Sequence, residues 1–331
     1  MEIKETIGID VSKLTLDAHI HSTGDRDRFE NNTNGFKKLV AWAHKRSRFP
    51  KENVLFVFEH TGLYSRGLSG FFGERKLHCH IVAGLEIKRS LGIARGKNDQ
   101  VDARRIALYA YRLREEIRPS KVADVQIRKL RTMFSLRSKL IKQRAGYKTT
   151  LKEQKGILNG KDYNIIFEIQ NNMLDTLSGE IHKLERMMME IIKGDKGLSD
   201  LFKLVTSVKG VGPMTAMLVI IYTNRFTKFH TWRKFASYCG VAPFPHQSGT
   251  SIKGRSKVSH FANKELKAIL NMCAASAIQY NPEMKQYYER RTEEGKNKMS
   301  TLNVIRNKLI ARVFAVVNRG TPYINVYRQA S

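Results

Sequence analysis

The stretch Asn53-Val54-Leu55-Phe56-Val57-Phe58-Glu59 decides the fold of the N-terminal part of the chain. Its apolar residues follow one another without alternating with polar ones, which is typical of a strand buried on both faces of a sheet. The run ends in an acid. Strands of this kind occur in α/β proteins, so this stretch predicts an α/β domain.

The residues on either side supply the rest of this domain. Short apolar or alternating runs predict strands, and apolar residues at helical spacing predict helices. The predicted strands are 5–10, 14–20, 26–30, 53–59 and 78–83, and the predicted helices are 34–44, 62–72 and a helical run, 103–114, with two acids just before it. The order β-β-β-α-β-α-β-α predicts an α/β domain over residues 1–118.

Four acids fall where such a domain would bring them together. Asp10 and Glu59 each end a predicted strand, and open α/β sheets form their sites outside the carboxyl ends of strands. Asp99 and Asp102 are three residues apart, so on a helix they share one face. Because close anions repel unless a cation lies between them, the four predict a site for Mg²⁺ or Mn²⁺ acting on a phosphodiester. The alternatives are four independent acids or, for the last pair, a solvated helix N-terminus.

The charge of the chain indicates its partner. Its 331 residues include 59 Lys and Arg against 30 Asp and Glu, a formal net charge of +29. A chain this cationic repels itself unless it meets a polyanion, and nucleic acid supplies phosphates at high density. An anionic membrane is the alternative, but no amphipathic anchor stands out. The sequence therefore favours a nucleic-acid-binding protein.

The cysteines and the hydropathy of the chain indicate in which cellular compartment the protein is expected. The three cysteines, Cys79, Cys239 and Cys273, are odd in number and far apart, which fits a reducing cytoplasm, without a disulfide framework. We expect no signal peptide before Met1-Glu2-Ile3-Lys4, and the longest apolar run, 216–222, is far too short to span a bilayer. We therefore expect a cytoplasmic, nucleoid-associated protein of prokaryotic type that does not enter a membrane.

Residues 119–195 predict a basic helical hairpin or coiled coil. Apolar residues recur at helical spacing up to about Gly160 and again over 169–192, while 161–170 is less regular. The apolar stripe predicts a core or an oligomer interface. Between 121 and 160 the only acids are Asp124 and Glu153, so we expect the cationic side to contact phosphates. The candidate contacts are Arg128, Arg131 and Lys142.

Residues 196–331 predict a mainly α-helical domain. Within 204–218, a Gly-Val-Gly turn lies between two helical stretches, the second starting at Pro213 or Met214, which predicts a helix-hairpin-helix motif. Such a turn presents backbone N–H groups at a helix N-terminus and contacts nucleic-acid backbone without reading sequence. The candidate contacts are Lys209, Gly210 and Gly212. A tight connection between two helices is the alternative.

A polar stretch further along the domain carries hydroxyls among cations. Ser248, Thr250 and Ser251 follow a Pro-containing loop, and helices are predicted at 264–279, 282–292 and 300–319. The neighbouring cations are Lys253, Arg255 and Lys257. A serine here could bind a phosphate oxygen or attack phosphorus, and attack needs activation and charge neutralisation. Composition by itself favours binding.

Five segments in this order form a recognisable pattern. They are Ile7-Gly8-Ile9-Asp10-Val11-Ser12-Lys13, Phe58-Glu59-His60-Thr61-Gly62, Lys97-Asn98-Asp99-Gln100-Val101-Asp102-Ala103-Arg104, Val208-Lys209-Gly210-Val211-Gly212 and Ser248-Gly249-Thr250-Ser251-Ile252-Lys253-Gly254. The pattern resembles the DEDD transposases of insertion-sequence family one-ten, bridge-RNA-guided recombinases related to the Piv invertases. The resemblance covers essentially the whole chain. One departure is the Phe-Glu-His-Thr context, because many members carry a smaller residue after the acid.

The resemblance implies a fold and a mechanism. The fold is an RNase H-like (RuvC-like) N-terminal domain, whose DEDD metal site falls on Asp10, Glu59, Asp99 and Asp102. The nucleophile falls on Ser248, which reverses the preference for a binding role. The implied reaction passes through a covalent phosphoserine. The implied partners are a bridge RNA, donor and target DNA, and further copies of the chain in a dimer or tetramer. A nuclease or junction resolvase without serine catalysis remains the alternative.

Overall fold

The computed structural model describes residues 2–90, 99–158, 160–248 and 252–324, without the side chains of 99, 100, 161, 246–248, 252, 253 and 255. The chain forms two compact units, and the boundary between them lies between Val125 and Gln126. The predicted domain boundaries at 118/119 and 195/196 stay predictions.

A five-stranded mixed sheet forms the first unit. Its strands are β1 Glu5–Val11, β2 Thr15–Ile20, β3 Arg26–Glu30, β4 Val54–Glu59 and β5 Cys79–Val82, in the spatial order β3-β2-β1-β4-β5. β1, β4 and β5 are parallel neighbours, whereas β2 and β3 are antiparallel additions at the β1 edge. This mixed sheet and its helices confirm the predicted α/β, RNase H-like fold.

Helices cover both faces of this sheet. They are α1 Thr33–Arg46, α2 Tyr64–Glu74, α3 Gly84–Ser90 and α4 Asp99–Arg112. Phe56 and Phe58 of β4 join one apolar core, while Leu55 and Val57 join a second core that includes Ile106 of α4. β4 is therefore buried on both faces, as its unbroken apolar run predicts.

α3 is a helix that the sequence does not predict. α4 begins before residue 103, where the predicted helical run starts. α3 spans seven residues, of which only Ile87 is buried, so it is too short to show a helical apolar period. α4 begins at Asp99 rather than at Ala103, so both acids lie within the helix. The two acids are therefore about one turn apart along the helix backbone, and the shared direction of their side chains stays a prediction.

The second unit is mainly helical. Its helices are α5 Val125–Ile157, α6 Asn164–Gly194, α7 Lys196–Thr206, α8 Pro213–Thr223, α9 Trp232–Tyr238, α10 Lys264–Tyr280, α11 Pro282–Glu293 and α12 Lys298–Arg319. Helical spacing resumes in the sequence only at Ile169, whereas α6 already starts at Asn164. Ile165 and Ile169 are 58% and 56% exposed, so the first turns of α6 bury no stripe that would reveal a helix.

α5 and α6 form the predicted antiparallel hairpin. The Arg137 side chain contacts the Glu185 carboxylate, with Nε donating to Oε1 over 2.7 Å. Arg144 Nη1 donates to Ser178 Oγ over 3.3 Å. Arg144 comes seven residues after Arg137 in α5, whereas Ser178 comes seven residues before Glu185 in α6. Since the partner number falls as the α5 number rises, the two helices run in opposite directions.

The stretch around Ser248 is a β-hairpin rather than the predicted loop. β6 Pro243–Ser248 pairs antiparallel with β7 Ile252–Val258, and Ser248 lies opposite Ile252. Two prolines in β6 suggest a loop, but proline is compatible with a strand that has an unpaired edge. A two-stranded sheet leaves such an edge on both strands.

Asp195 connects the start of α7 to the end of α8. Its Oδ1 accepts a hydrogen bond from the Leu198 N–H, which caps α7. The guanidinium of Arg225 donates to both carboxylate oxygens, over 3.1 and 2.6 Å. These Arg225 bonds, followed by the bond from Leu198, lower the pKa of Asp195.

Asp195→Asn is expected to destabilise the protein in a pH-dependent way. Asparagine keeps the capping oxygen but loses the ion pair, so we expect the free energy of unfolding to fall by about 1 kcal/mol at pH 7 for this quarter-exposed pair. Because folding lowers the carboxyl pKa, this contribution is complete above about pH 4 and is lost as the pH falls through the lowered pKa. Denaturant unfolding of both proteins between pH 2.5 and 7 tests this, and a difference in the free energy of unfolding that does not shrink below pH 4 contradicts it.

The three cysteines of the chain, Cys79, Cys239 and Cys273, form no disulfide with one another. All three thiols are free and buried, and burial raises the pKa of Cys79 to about 12. None of the helices in the described ranges combines the length and apolar character that crossing a membrane requires.

Candidate active site

The carboxyl ends of β1 and β4 bring two of the predicted acids side by side. Ile9 pairs with Phe58 in the parallel register of these strands. Asp10 and Glu59 are the next residues on each strand, so they occupy neighbouring positions at one edge of the sheet. Both side chains are partly buried.

Asp10 lies on the face of the sheet that α4 covers. Alternate residues of a strand share a face, so Asp10 shares one with Thr6 and Gly8. Thr6 Oγ1 donates to Ala107 O of α4 over 3.0 Å. Gly8 lies so close to the same helix that a Cβ on it would be 2.2 Å from Ala103 O.

Glu59 lies on the same face as Asp10. It alternates with Leu55 and Val57, which pack in the core that contains Ile106 of α4. Two predicted acids thus share both an edge and a face, although the sequence separates them by nearly fifty residues.

α4 runs antiparallel to β1 and brings its first turn to this edge. Ala107 contacts Thr6, whereas Ala103, one turn earlier, lies against Gly8 nearer the carboxyl end of the strand. Asp102 adjoins Ala103 and accepts a hydrogen bond from Arg105 Nη1 over 3.1 Å. The helix begins at Asp99, whose side chain lies outside the described part of the chain.

The Glu59 carboxylate is available as a ligand. It makes no hydrogen bond or ion pair with any residue in the described ranges, although the protein carries many cations. Its oxygens instead lie against Gly84, the first residue of α3, where a Cβ would be 2.0 Å from Oε1. A partly buried carboxylate without a protein partner suits a cation ligand.

The residues at this edge fit a divalent ion by their chemistry. Carboxylate oxygens are the donors that Mg²⁺ and Mn²⁺ prefer. Within the ranges that the structure describes, no three Asp, Glu, His or Cys side chains lie close enough together to hold a metal. The side chain of Asp99 is not among those searched, and Asp102 is engaged by Arg105. The four-carboxylate site therefore stays a prediction.

Asp17 is an acid of this edge that the sequence does not reveal. It lies directly opposite Asp10 in the antiparallel β1–β2 pair, so the two share a face. The side chain is buried, and Arg28 Nε of β3 donates to it over 2.9 Å. The alternation of residues 14–20 makes Asp17 look solvent-facing, because nothing in the sequence shows that α4 also covers β2.

The predicted helix-hairpin-helix is present in the second unit. α8 begins at Pro213, and its N-cap, Gly212, is exposed and provides no side chain to cap the helix. Gly210 adopts φ +95° in the turn, and a Cβ there would meet Ala277, so both backbone and packing require glycine. Lys209, three residues before Gly212, is exposed. Contact of this turn with a phosphate stays a prediction.

The remaining candidates differ in exposure. Lys142 and Lys257 are exposed, and Arg128 is partly buried. Arg131 is partly buried with its guanidinium 5.5 Å from the Tyr222 ring centroid, so it has a packing role. The side chains of three further candidates lie outside the described part of the chain; these are Ser248, Lys253 and Arg255.

Two family models match separate parts of the chain. Residues 7–155 match the model of the DEDD domain of IS110-type transposases. Residues 202–289 match a model described as "Transposase IS116/IS110/IS902 family". The first match contains the β1, β4 and α4 acids, and the second contains the helix-hairpin-helix and the serine hairpin.

Curated relatives extend the similarity to the whole chain. The pilin gene-inverting proteins of Moraxella bovis and Moraxella lacunata are each 28% identical to it over 328 residues, covering 97% of this chain and 98% of theirs. An insertion element IS110 protein of Streptomyces coelicolor is 30% identical over 143 residues, covering 43% of this chain and 35% of its own length. The acids at one sheet edge, both family matches and these relatives agree, and the chain belongs to the IS110 family of DEDD transposases, enzymes homologous to the pilin invertases.

Proposed function

We propose that this transposase cuts and rejoins DNA through a covalent phosphoserine at Ser248, assisted by a divalent ion held by Asp10, Glu59, Asp99 and Asp102. The observation that carries the proposal is the shared edge and face of Asp10 and Glu59 beneath the start of α4. Strand ends of this kind support catalytic sites in α/β sheets.

The carboxylates hold and orient the cation in this proposal. Glu59 needs no rearrangement to become a ligand, because it has no hydrogen-bond or ion-pair partner in the described chain. To bind the cation, Asp102 must give up its ion pair with Arg105. This ion pair is partly exposed and therefore contributes little free energy. A Mg²⁺ or Mn²⁺ ion bound there would supply positive charge that stabilises the negative charge developing on the phosphate.

The serine step conserves phosphoester bonds. Ser248 Oγ bonds to phosphorus, the bond from phosphorus to a deoxyribose oxygen breaks, and the hydroxyl proton ends on that departing oxygen. The reverse step joins a different strand. A reaction of this balance suits recombination, and the names of the Moraxella relatives refer to inversion of a gene.

We further propose that a bridge RNA chooses the donor and target DNA and that the cytoplasmic protein works as a homo-oligomer. The net charge of +29 supports a large polyanionic partner. The α5–α6 hairpin supports self-association, because its tip exposes large apolar side chains. These side chains are Ile157, Ile165, Ile169 and Met173.

Ser248→Ala is expected to abolish a covalent protein–DNA adduct. The wild-type protein is incubated with the RNA of its element, labelled donor and target DNA and Mg²⁺, then denatured and separated on a gel. We expect labelled DNA to migrate with the wild-type protein and not with the variant, because alanine lacks the attacking oxygen. Omitting the RNA is expected to remove the adduct as well.

Other outcomes distinguish the alternatives. Ser256→Ala is a matched control, because Ser256 is an exposed serine of the paired strand β7. Free cleaved DNA ends without an adduct would instead support a metal-dependent nuclease or junction resolvase, in which water attacks. An adduct that survives Ser248→Ala would exclude Ser248 as the nucleophile.

A further inference from the structure

The Glu59 carboxylate lies in direct contact with Gly84, the first residue of α3. A Cβ on Gly84 would lie 2.0 Å from Glu59 Oε1, 2.5 Å from its Cδ and 2.9 Å from its Oε2. The whole carboxylate group therefore occupies the space that any side chain other than glycine would need.

The sheet brings these two residues together. Glu59 pairs with Val82 in the parallel β4–β5 register, and His60 N donates to Val82 O over 3.0 Å. Gly84 lies two residues beyond Val82, where β5 has ended and α3 begins. The backbone of this β5–α3 connection thus forms one wall beside the Glu59 side chain.

We infer that Gly84 is a positioning residue for Glu59, the surface that fixes where its carboxylate meets the metal. This inference rests on the proposed function of Glu59 as a ligand. No hydrogen bond or ion pair in the described chain fixes the direction of the Glu59 side chain, so steric contact must do so. Gly84 supplies that contact, and its missing side chain leaves room for the carboxylate.

A purely structural role for Gly84 predicts a different outcome. The φ of Gly84 is not in the left-handed region, so its backbone conformation admits alanine. The atoms that an added Cβ would meet are the end of one flexible side chain and not backbone. The chain can therefore relieve the clash by moving the carboxylate while the fold is kept, and this movement displaces a metal ligand.

Gly84→Ala is expected to weaken Mn²⁺ binding about 10- to 100-fold, the range seen when groups that orient metal ligands are removed. The midpoint of thermal unfolding is expected to stay at the wild-type value. Isothermal titration of the full-length protein with MnCl₂ and a thermal melt measure the two quantities. Gly179→Ala is the matched control, because a Cβ at that exposed helical position meets nothing within 4 Å.

A double-variant cycle with Glu59→Asp tests whether the effect passes through Glu59. Aspartate is one methylene shorter and withdraws its carboxylate from Gly84. We expect Gly84→Ala to change Mn²⁺ affinity less than about twofold when it is added to Glu59→Asp. An equal loss in both backgrounds, an unchanged affinity in Gly84→Ala, or a melting point that falls together with the affinity would each overturn the inference.

Failure of the proposed function gives a separate result. If Glu59→Gln keeps full Mn²⁺ affinity and full DNA cleavage, Glu59 is not a ligand and the proposed function of this acid fails. If Glu59→Gln loses both while Gly84→Ala keeps both, only the positioning role of Gly84 fails.

Discussion

Glu59→Gln is expected to reduce Mg²⁺-dependent DNA cleavage at least about 1,000-fold while nucleic-acid binding stays near the wild-type level. The substitution keeps the size of the side chain and removes only its charge. Loss of a metal ligand removes several kcal/mol of transition-state stabilisation, and about 4 kcal/mol corresponds to 1,000-fold. Because Glu59 has no partner in the described chain, folding loses no hydrogen bond or ion pair. Single-turnover cleavage, a binding titration and a thermal melt measure the three properties.

Asp102→Asn tests a second proposed metal ligand of the same site. It is expected to lose cleavage to a similar degree and to keep RNA binding, although it also weakens the contact with Arg105. Asp200→Asn is the matched control, because Asp200 also faces a cation three residues later, Lys203, but lies on α7 of the other unit. Parallel losses of RNA binding and cleavage in Asp102→Asn would indicate an ordinary structural acid.

Much of the N-terminal fold could be predicted because its signals are local. The unbroken apolar run of β4 announces a strand covered on both faces, and the structure covers both. The acids at the ends of β1 and β4 could likewise be placed at one edge, because parallel neighbours end together. The placement of the acids assumes that β1 and β4 are neighbours, a contact between distant segments that the structure confirms.

The parts that could not be predicted depend on contacts between distant segments. Asp17 looks like the polar side of an alternating strand until α4 is laid over β2. Gly84 lies against the Glu59 carboxylate only because β5 pairs with β4 and α3 begins directly after β5. In both cases the deciding neighbour lies more than twenty residues away, beyond the reach of periodicity.

The serine hairpin shows a different limit. Its prolines predict a loop, whereas the structure forms the paired strands β6 and β7, with an irregularity in the pairing between Phe244 and His246. Strand pairing here depends on the opposite strand and not on the propensity of either segment. The role of Ser248 stays a prediction that comes from the family resemblance, because composition alone favours phosphate binding there.

Gly8→Ala is expected to destabilise the N-terminal unit strongly, in contrast to Gly84→Ala. A Cβ on Gly8 would lie 2.2 Å from Ala103 O and 2.3 Å from Ala107 N, and both are backbone atoms of α4. No side chain can rotate away, so the helix itself must move. Overpacking of this kind costs about 3 kcal/mol or more of the free energy of unfolding. Because Ala103 adjoins Asp102, the same movement shifts a proposed ligand.

Gly67→Ala is the matched control within the same unit. Gly67 is exposed in α2, and a Cβ there would make only ordinary contact, 3.4 Å or more, with the Phe36 ring. Alanine favours helix over glycine, so this variant is expected to gain up to about 1 kcal/mol. Denaturant unfolding of the two variants should move in opposite directions from the wild type. A Gly8→Ala protein as stable as the wild type would mean that α4 does not pack this closely on β1, and the convergence of Asp102 with Asp10 would then lose its basis.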